Sequence, residues 1–194
     1  KKRWAVQVGA GHSAPVVSGD RVVVIARESD QEIVRALDLA TGHERWRAAY
    51  PAPHTVNSAA SLHGPGPKST PAIANGRVFT LGVSGILSAF DLASGRLLWR
   101  IPAPGVLPEY GTATSPLVDG DTVIAHVGGY HAGALTSFDA ATGTPRWQWT
   151  GDGPAYGSPI ITTFGGVRQV IAQTQQFVVG LDASTGALLW QIPF

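Results

Sequence analysis

The chain has 194 residues, of which 44% are hydrophobic and 14% charged, with 14 Lys and Arg against 13 Asp and Glu. The formal net charge of +1 gives no electrostatic reason to expect a nucleic acid or an anionic membrane surface as partner. Cysteine is absent, which excludes disulfides, thiolate zinc sites and cysteine nucleophiles, and no apolar stretch approaches the roughly 18 residues that a membrane span needs.

The predicted elements are short strands separated by glycine turns. The first, WAVQVG, lies within residues 1–10, and four segments of similar pattern follow at 11–51, 52–104, 105–152 and 153–194. Each segment continues from a Pro with two apolar residues, a turn such as VVSGDR or AIANGR, a β-branched run, a run that ends at an Asp, and a last run that begins at a Trp. Glycine after Ser, Asn or Asp is typical of a tight hairpin.

One motif, D-x-x-[ST]-G-x-x-x-W, recurs in all four segments, and we call it the turn motif. Its copies read DLATGHERW, DLASGRLLW, DAATGTPRW and DASTGALLW. Their Asp, Gly and Trp residues are Asp38, Gly42 and Trp46; Asp91, Gly95 and Trp99; Asp139, Gly143 and Trp147; and Asp182, Gly186 and Trp190. The matching tryptophans, with Trp4, are 42 to 53 residues apart.

The turn motif is interpreted as structural. The Asp at the end of the third strand can accept backbone N–H bonds from the turn, and the Gly can take the left-handed conformation that closes it. The Trp can wedge between neighbouring sheets, where burial removes roughly 150–250 Å² of its surface from water. Four antiparallel strands in each repeat of this length predict an all-β β-propeller with four blades and tryptophan-docking motifs.

The turn motif at this spacing resembles that of the quinoprotein-type, or PQQ-like, β-propeller repeats, and the resemblance covers essentially the whole chain. One branch of that superfamily contains pyrroloquinoline-quinone-dependent alcohol dehydrogenases. The other is non-catalytic and includes the outer-membrane protein assembly factor BamB. The resemblance implies an eight-bladed ring and an extracytoplasmic location, periplasmic or secreted.

Five segments begin with Trp, but only four sets of inner strands exist to receive them. We therefore expect the chain to be part of a larger ring that begins in the outer strand of a preceding blade. Folded alone, it would expose two apolar blade flanks, which predicts self-association or a protein partner.

The dehydrogenase resemblance implies two adjacent cysteines against one face of the quinone, a Trp against the other, and calcium held by acidic and amide side chains. No cysteine pair exists here. The acids of the turn motif and the hairpin acids Asp20, Asp119 and Asp121 are assigned to turns, and Glu32 and Glu44 are expected to be solvent-exposed. Glu109 and Asp152 are then the weak calcium candidates. No cofactor is therefore expected, and PQQ with calcium is the alternative.

The connections between one blade and the next vary most in length and carry the candidate binding residues. In propellers such loops meet at the mouth of the central channel, where function usually lies. The candidates are His54, Asn57, His63, Lys68, Glu109, Tyr110, Asp152 and Tyr156. The preferred function is a non-catalytic scaffold or protein-binding module; the alternatives are a fragment of a PQQ-dependent dehydrogenase and a carbohydrate- or polymer-binding module.

Overall fold

The computed structural model describes residues 2–194 and contains sixteen strands in four sheets. The first blade comprises β1 (Val16–Ser18), β2 (Arg21–Glu28), β3 (Gln31–Asp38) and β4 (Glu44–Pro51). The second comprises β5 (Ala72–Ala74), β6 (Arg77–Leu81), β7 (Leu87–Asp91) and β8 (Leu97–Ile101). The third comprises β9 (Leu117–Asp119), β10 (Thr122–Val127), β11 (Ala134–Asp139) and β12 (Pro145–Trp149). The fourth comprises β13 (Ile160–Phe164), β14 (Val167–Gln173), β15 (Phe177–Asp182) and β16 (Leu188–Pro193).

Each sheet is an antiparallel meander whose strands pair in chain order. The first strands of successive blades lie side by side, which places β1, β5, β9 and β13 innermost. Three apolar clusters fill the three junctions between consecutive blades. This arrangement confirms the predicted all-β propeller of four-stranded blades.

Hydroxyl groups join the innermost strands at their entry. The residue before the recurrent Pro donates its N–H to the hydroxyl of the corresponding residue one blade further on. Ala14 reaches Thr70 Oγ1 at 3.4 Å, Thr70 reaches Ser115 Oγ at 2.9 Å, and Ser115 reaches Ser158 Oγ at 2.9 Å. These bonds satisfy backbone donors that lie just outside the strand ladders.

The turn motif closes each blade in the same way. Asp139 Oδ1 accepts the N–H groups of Ala141 and Thr142 at 2.9 Å, and the N–H of Gly143 reaches the Asp139 carbonyl at 2.8 Å. The other three copies repeat this carbonyl bond, with the glycine φ between 72° and 76° across the four copies. A hydrogen-bonded carboxylate of this kind is stabilised in its charged form, and the pKa of each motif Asp is lowered.

Four tryptophans dock on the turn motif of the next blade along the chain. The indole of Trp46 lies over Gly95 and donates from Nε1 to the Leu92 carbonyl at 2.9 Å. Three further pairs repeat this contact: Trp4 on Gly42, Trp99 on Gly143, and Trp147 on Gly186. Glycine is required because a Cβ at Gly95 would lie 2.5 Å from the Trp46 ring.

Two strand predictions need correction. The outer strands begin two residues before the Trp, and a register shift lies opposite each Trp in the third strand. The predicted outer strand within residues 1–10 is not formed over the described part, 2–10, where Ala10 alone bridges to Arg27. Within residues 2–194 the third strand of each blade already pairs with that blade's own outer strand. The segment 2–10 instead follows the flank of the first blade, with Trp4 docked as described.

The outer face of the fourth blade is apolar and open. Register places Ile160, Ile171, Gly180 and Trp190 in one row across its four strands. Ile160, Phe164 and Ile192 are all more than half exposed. The indole of Trp190 turns back onto its own sheet, lies against Gly180 and donates to Gln169 Oε1 at 2.7 Å. Self-association through this flank stays a prediction.

Candidate functional site at the loop face

The connections from each outer strand to the next inner strand lie on one face of the propeller, which we call the loop face. The turns between β2 and β3 and their equivalents lie at the same end, whereas the turn motifs lie at the other end, the turn face. The largest insertion on the loop face, residues 52–71, contains a short 3-10 helix, Ser58–His63. The side chain of Asn57 accepts the N–H of Ala59 at 2.9 Å and Gly64 ends the helix, which explains why NSAASLHG folds locally.

Four of the eight predicted candidates meet at one cavity of about 350 Å³ on this face, the loop-face cavity. It is lined by Ala59, Ala60 and His63 of the helix and by Lys68, Tyr110, Ala113 and Tyr156. The walls therefore come from the connections that precede the second, third and fourth blades. Three alanines and two phenol rings make the lining mainly apolar, with one ammonium group among the lining side chains.

A hydrogen-bonded network holds this cavity together. Lys68 Nζ donates to the Tyr110 carbonyl at 2.6 Å, and the Tyr110 N–H donates to the Tyr156 hydroxyl at 3.3 Å. The Tyr156 and Tyr130 hydroxyls are 3.0 Å apart, and the Tyr110 and Tyr156 rings are 5.9 Å apart between centroids. Burial, followed by the bond to Tyr130, raises the pKa of Tyr156, and burial lowers the pKa of Lys68.

Three further candidates lie beside a second cavity. His54 and Glu109 line it with Pro53, Thr55, Leu107 and Pro108. Asn57 joins the two connections, because its Nδ2 donates to Glu109 Oε1 at 3.3 Å. The pKa of His54 is lowered by burial first and by the charges of Lys68 and Arg27 next. Asn57 and Glu109 thus brace the insertion against the following loop.

Asp152 is a predicted binding candidate whose carboxylate is enclosed by hydrogen-bond donors of the chain itself. It is buried, and its carboxylate accepts the Thr174 hydroxyl at 2.7 Å and the N–H groups of Gln176 and Gly153 at 2.7 and 2.9 Å. Burial acts to raise the pKa of Asp152, but these hydrogen bonds outweigh it and the pKa is lowered. Its role is to tie the connection before the fourth blade to the hairpin within that blade.

His126 is a buried titratable residue that the sequence analysis does not include among its candidates. Its Nε2 lies 3.2 Å from the Asp152 carbonyl, and desolvation by burial lowers its pKa from 6.5 to about 4. The imidazole is therefore neutral in the folded protein at pH 7.

Because the unfolded chain takes up this proton first as the pH falls, the contribution of His126 to stability is complete above pH 6.5 and is lost as the pH approaches 4. At about 1.4 kcal/mol per pH unit, this interval corresponds to a loss of about 3 kcal/mol. We expect His126→Gln to remove this part of the pH dependence, measured by urea unfolding at pH 7 and pH 4. His131→Gln is the control, because His131 is exposed. If the free energy of unfolding changed equally between pH 7 and pH 4 in the two variants, the assignment to His126 would be contradicted.

Glu32 is a second buried titratable group, at the loop-face end of the first junction, and not the solvent-exposed acid that the sequence analysis expects. Its Oε1 accepts the N–H of Val83, in the second blade, at 2.7 Å. Burial raises the pKa of Glu32, although this bond, the Tyr50 phenol and the charges of Arg27 and Arg100 act to lower it. The Arg100 guanidinium lies 4.1 Å from the centre of the Tyr50 ring. We interpret this group as a tie between the first two blades.

The turn face has a larger cavity of about 560 Å³, but the two arginines that line it are already paired. Arg146 pairs with Asp121 and Asp139, and Arg168 pairs with Asp119. Paired side chains offer little to a charged ligand, since binding would first have to break an existing ion pair. The loop face is therefore the better candidate for recognition.

The residues of the loop face do not fit PQQ with calcium. The adjacent cysteines that the dehydrogenase resemblance requires are missing from the sequence. Calcium takes about 6–8 oxygen ligands, and within residues 2–194 no group of three or more His, Cys, Asp or Glu is arranged to hold a metal. Glu109 is bonded to Asn57, and Asp152 is enclosed by its own donors. These side chains brace loops.

Comparison with known proteins agrees with this architecture. The family model described as outer membrane protein assembly factor BamB matches residues 1–63 and 30–194. The chain belongs to this PQQ-like β-propeller family. Within residues 2–194 the helices are too short or too polar to span a bilayer.

Among curated relatives, the serine/threonine-protein kinase AfsK of Streptomyces griseus is 33% identical over 136 residues, which are 70% of this chain and 16% of the kinase. BamB of Shewanella oneidensis is 26% identical over 149 residues, which are 75% of this chain and 36% of that protein. The chain thus spans well under two thirds of the length of either relative.

Two solved structures show the same fold. BamB from Moraxella catarrhalis superposes with a TM-score of 0.70 at 22% identity, over 98% of this chain and 54% of that one. Quinohemoprotein alcohol dehydrogenase from Comamonas testosteroni superposes with a TM-score of 0.69 at 20% identity, over 95% of this chain and 35% of that one. At these identities the likeness concerns the fold, and a shared fold does not carry a shared activity.

Proposed function

We propose that this chain is a non-catalytic scaffold that binds a protein partner through its loop face. The observation that carries this proposal is the set of exposed apolar side chains on the loop face. Leu62 is 98% exposed, Val106 51% and Tyr156 38%. An apolar patch rimmed by polar groups is typical of a protein interaction site.

Family membership supports the proposal, because the matching family model describes an assembly factor. It also supports an extracytoplasmic placement, periplasmic or secreted. We extend the proposal to assembly of outer-membrane proteins, the role named for the BamB relatives. The lack of fit to PQQ with calcium weighs against the dehydrogenase alternative, and no single observation favours carbohydrate binding over protein binding.

The test is photo-crosslinking from the loop face. A photoreactive amino acid at position 62 is compared with one at position 39 on the turn face, where Leu39 is also exposed. We expect a protein of the source cells, identified by mass spectrometry, to crosslink from position 62 and not from position 39. The purified partner should bind the chain at least tenfold more weakly after the double substitution Leu62→Asp and Val106→Asp. A tenfold loss corresponds to about 1.4 kcal/mol of binding free energy, which is typical of truncating a central interface residue.

Leu39→Asp is the matched control and should leave that affinity unchanged. Equal crosslinking from both positions would contradict a loop-face interface. So would an affinity that the double substitution does not alter, provided that far-UV circular dichroism shows the variant to be folded.

A further inference from the structure

Lys68 is a half-buried cation without a counter-ion. Its Nζ uses one hydrogen bond, to the Tyr110 carbonyl at 2.6 Å. No carboxylate of residues 2–194 lies within the 4.0 Å of an ion pair from it, in contrast to Arg146 and Arg168 on the turn face. Two of its N–H groups therefore remain for a ligand. Burial of an unpaired charge is costly, and an anion bound beside it would offset that cost.

The residues around Lys68 indicate that the ligand has an apolar group in addition to its negative charge. The loop-face cavity presents Ala59, Ala60 and Ala113 together with the rings of Tyr110 and Tyr156. The alanines leave room for an apolar group, and a phenol ring offers a flat surface on which such a group can pack. A ligand that matches this lining carries a carboxylate and, directly beside it, an aliphatic or aromatic group.

The size of the cavity limits what can enter. A volume of about 350 Å³ is at the small end of ligand pockets, which span about 300–1,000 Å³. It accommodates one or two side chains of an extended segment and is too small for a helix or a strand pair. The exposed Leu62 and Val106 offer further apolar surface on the loop face, which favours a ligand that continues past the cavity.

We propose that the loop-face cavity recognises an acidic peptide segment of the partner, with an Asp or Glu carboxylate on Lys68 and the neighbouring apolar side chain between Ala59, Ala113 and the two tyrosine rings. This proposal rests on the proposed function, since it names what the loop face recognises. Charge complementarity favours an acidic peptide, because Lys68 is the one ammonium among the described residues that line the cavity.

The test uses phage-displayed random heptapeptides selected on the folded chain. We expect the enriched peptides to carry Asp or Glu next to Leu, Ile, Phe or Tyr. The best synthetic peptide should bind at least tenfold more weakly to Lys68→Gln, and at least tenfold more weakly when its acid is changed to the amide. Lys68→Arg keeps the charge and should retain binding.

Lys2→Gln is the matched control, because it removes a lysine that is exposed and does not line the cavity. Ala59→Leu is a second variant, which fills the cavity from an exposed rim position and should also reduce affinity at least tenfold. Circular dichroism of each variant verifies that it is folded.

Three outcomes would overturn the inference: selection without enrichment of acids, affinity unchanged by Lys68→Gln, or binding of oligogalacturonate but of no peptide. Crosslinking from position 62 tests separately whether the loop face binds a protein partner. If a partner crosslinks there while the peptides fail, the loop face is an interface but Lys68 does not recognise an acidic segment. If the peptides bind while crosslinking fails, the partner docks elsewhere.

Discussion

Trp46→Ala is expected to lower the free energy of unfolding by about 3–5 kcal/mol, the range for removing a buried aromatic side chain. Trp46 is 8% exposed, lies over Gly95 of the second blade and bonds to the Leu92 carbonyl. Its removal leaves a cavity between two blades and a carbonyl without its indole donor. The measurement is urea unfolding followed by far-UV circular dichroism, which does not depend on tryptophan fluorescence.

Trp190→Ala is the matched control for Trp46→Ala. The two residues occupy the same position of the turn motif, but Trp190 contacts Gly180 and Gln169 of its own blade. If the indole stabilises the junction, its removal at position 190 should cost less than half as much as at position 46. Equal losses would show that the indole stabilises the blade that carries it and would contradict the docking interpretation.

Gly95→Ala is the second substitution with a large expected effect. Gly95 has a φ of 72°, where an L-residue costs about 1–2 kcal/mol. A Cβ there would also lie 2.5 Å from the Trp46 ring, and overpacking of this kind costs about 1–3 kcal/mol more. The expected loss is about 2–5 kcal/mol, measured by the same unfolding experiment.

Gly76→Ala separates the two contributions to that loss. Gly76 lies in the same blade with a φ of 69°, and a Cβ there would meet nothing within 4 Å. It should therefore show the backbone cost alone. If Gly95→Ala were no more destabilising than Gly76→Ala, the indole would not be constrained by the glycine beneath it.

The fold could be predicted from the sequence because each blade is built from local chemistry that repeats. Asp139 illustrates this, since its carboxylate bonds to N–H groups two and three residues ahead and its carbonyl to the Gly143 N–H. A bond pattern contained within five residues leaves a recognisable motif in the sequence. The four-fold recurrence of that motif then identifies the architecture.

The candidate site was less predictable because its contacts cross between blades. Tyr110 and Tyr156 are 46 positions apart, and their meeting depends on how consecutive blades stack. Asp152 has an acidic side chain in a loop, which is typical of a binding residue. Its carboxylate, however, accepts a hydrogen bond from Thr174, which lies on the hairpin of the following blade. The helix Ser58–His63 was within reach of sequence reasoning, because Asn57 and Gly64 are a typical cap pair.

The direction of tryptophan docking affects how blades can be added to such a protein during evolution. At each of the four docking contacts the indole rests on a glycine that comes later in the chain, as Trp46 does on Gly95. A stretch running from one tryptophan to the next turn therefore contains both halves of a junction. Duplication of that stretch inserts a complete blade whose two new contacts are already matched, so the gene can lengthen by whole units without compensating mutations elsewhere.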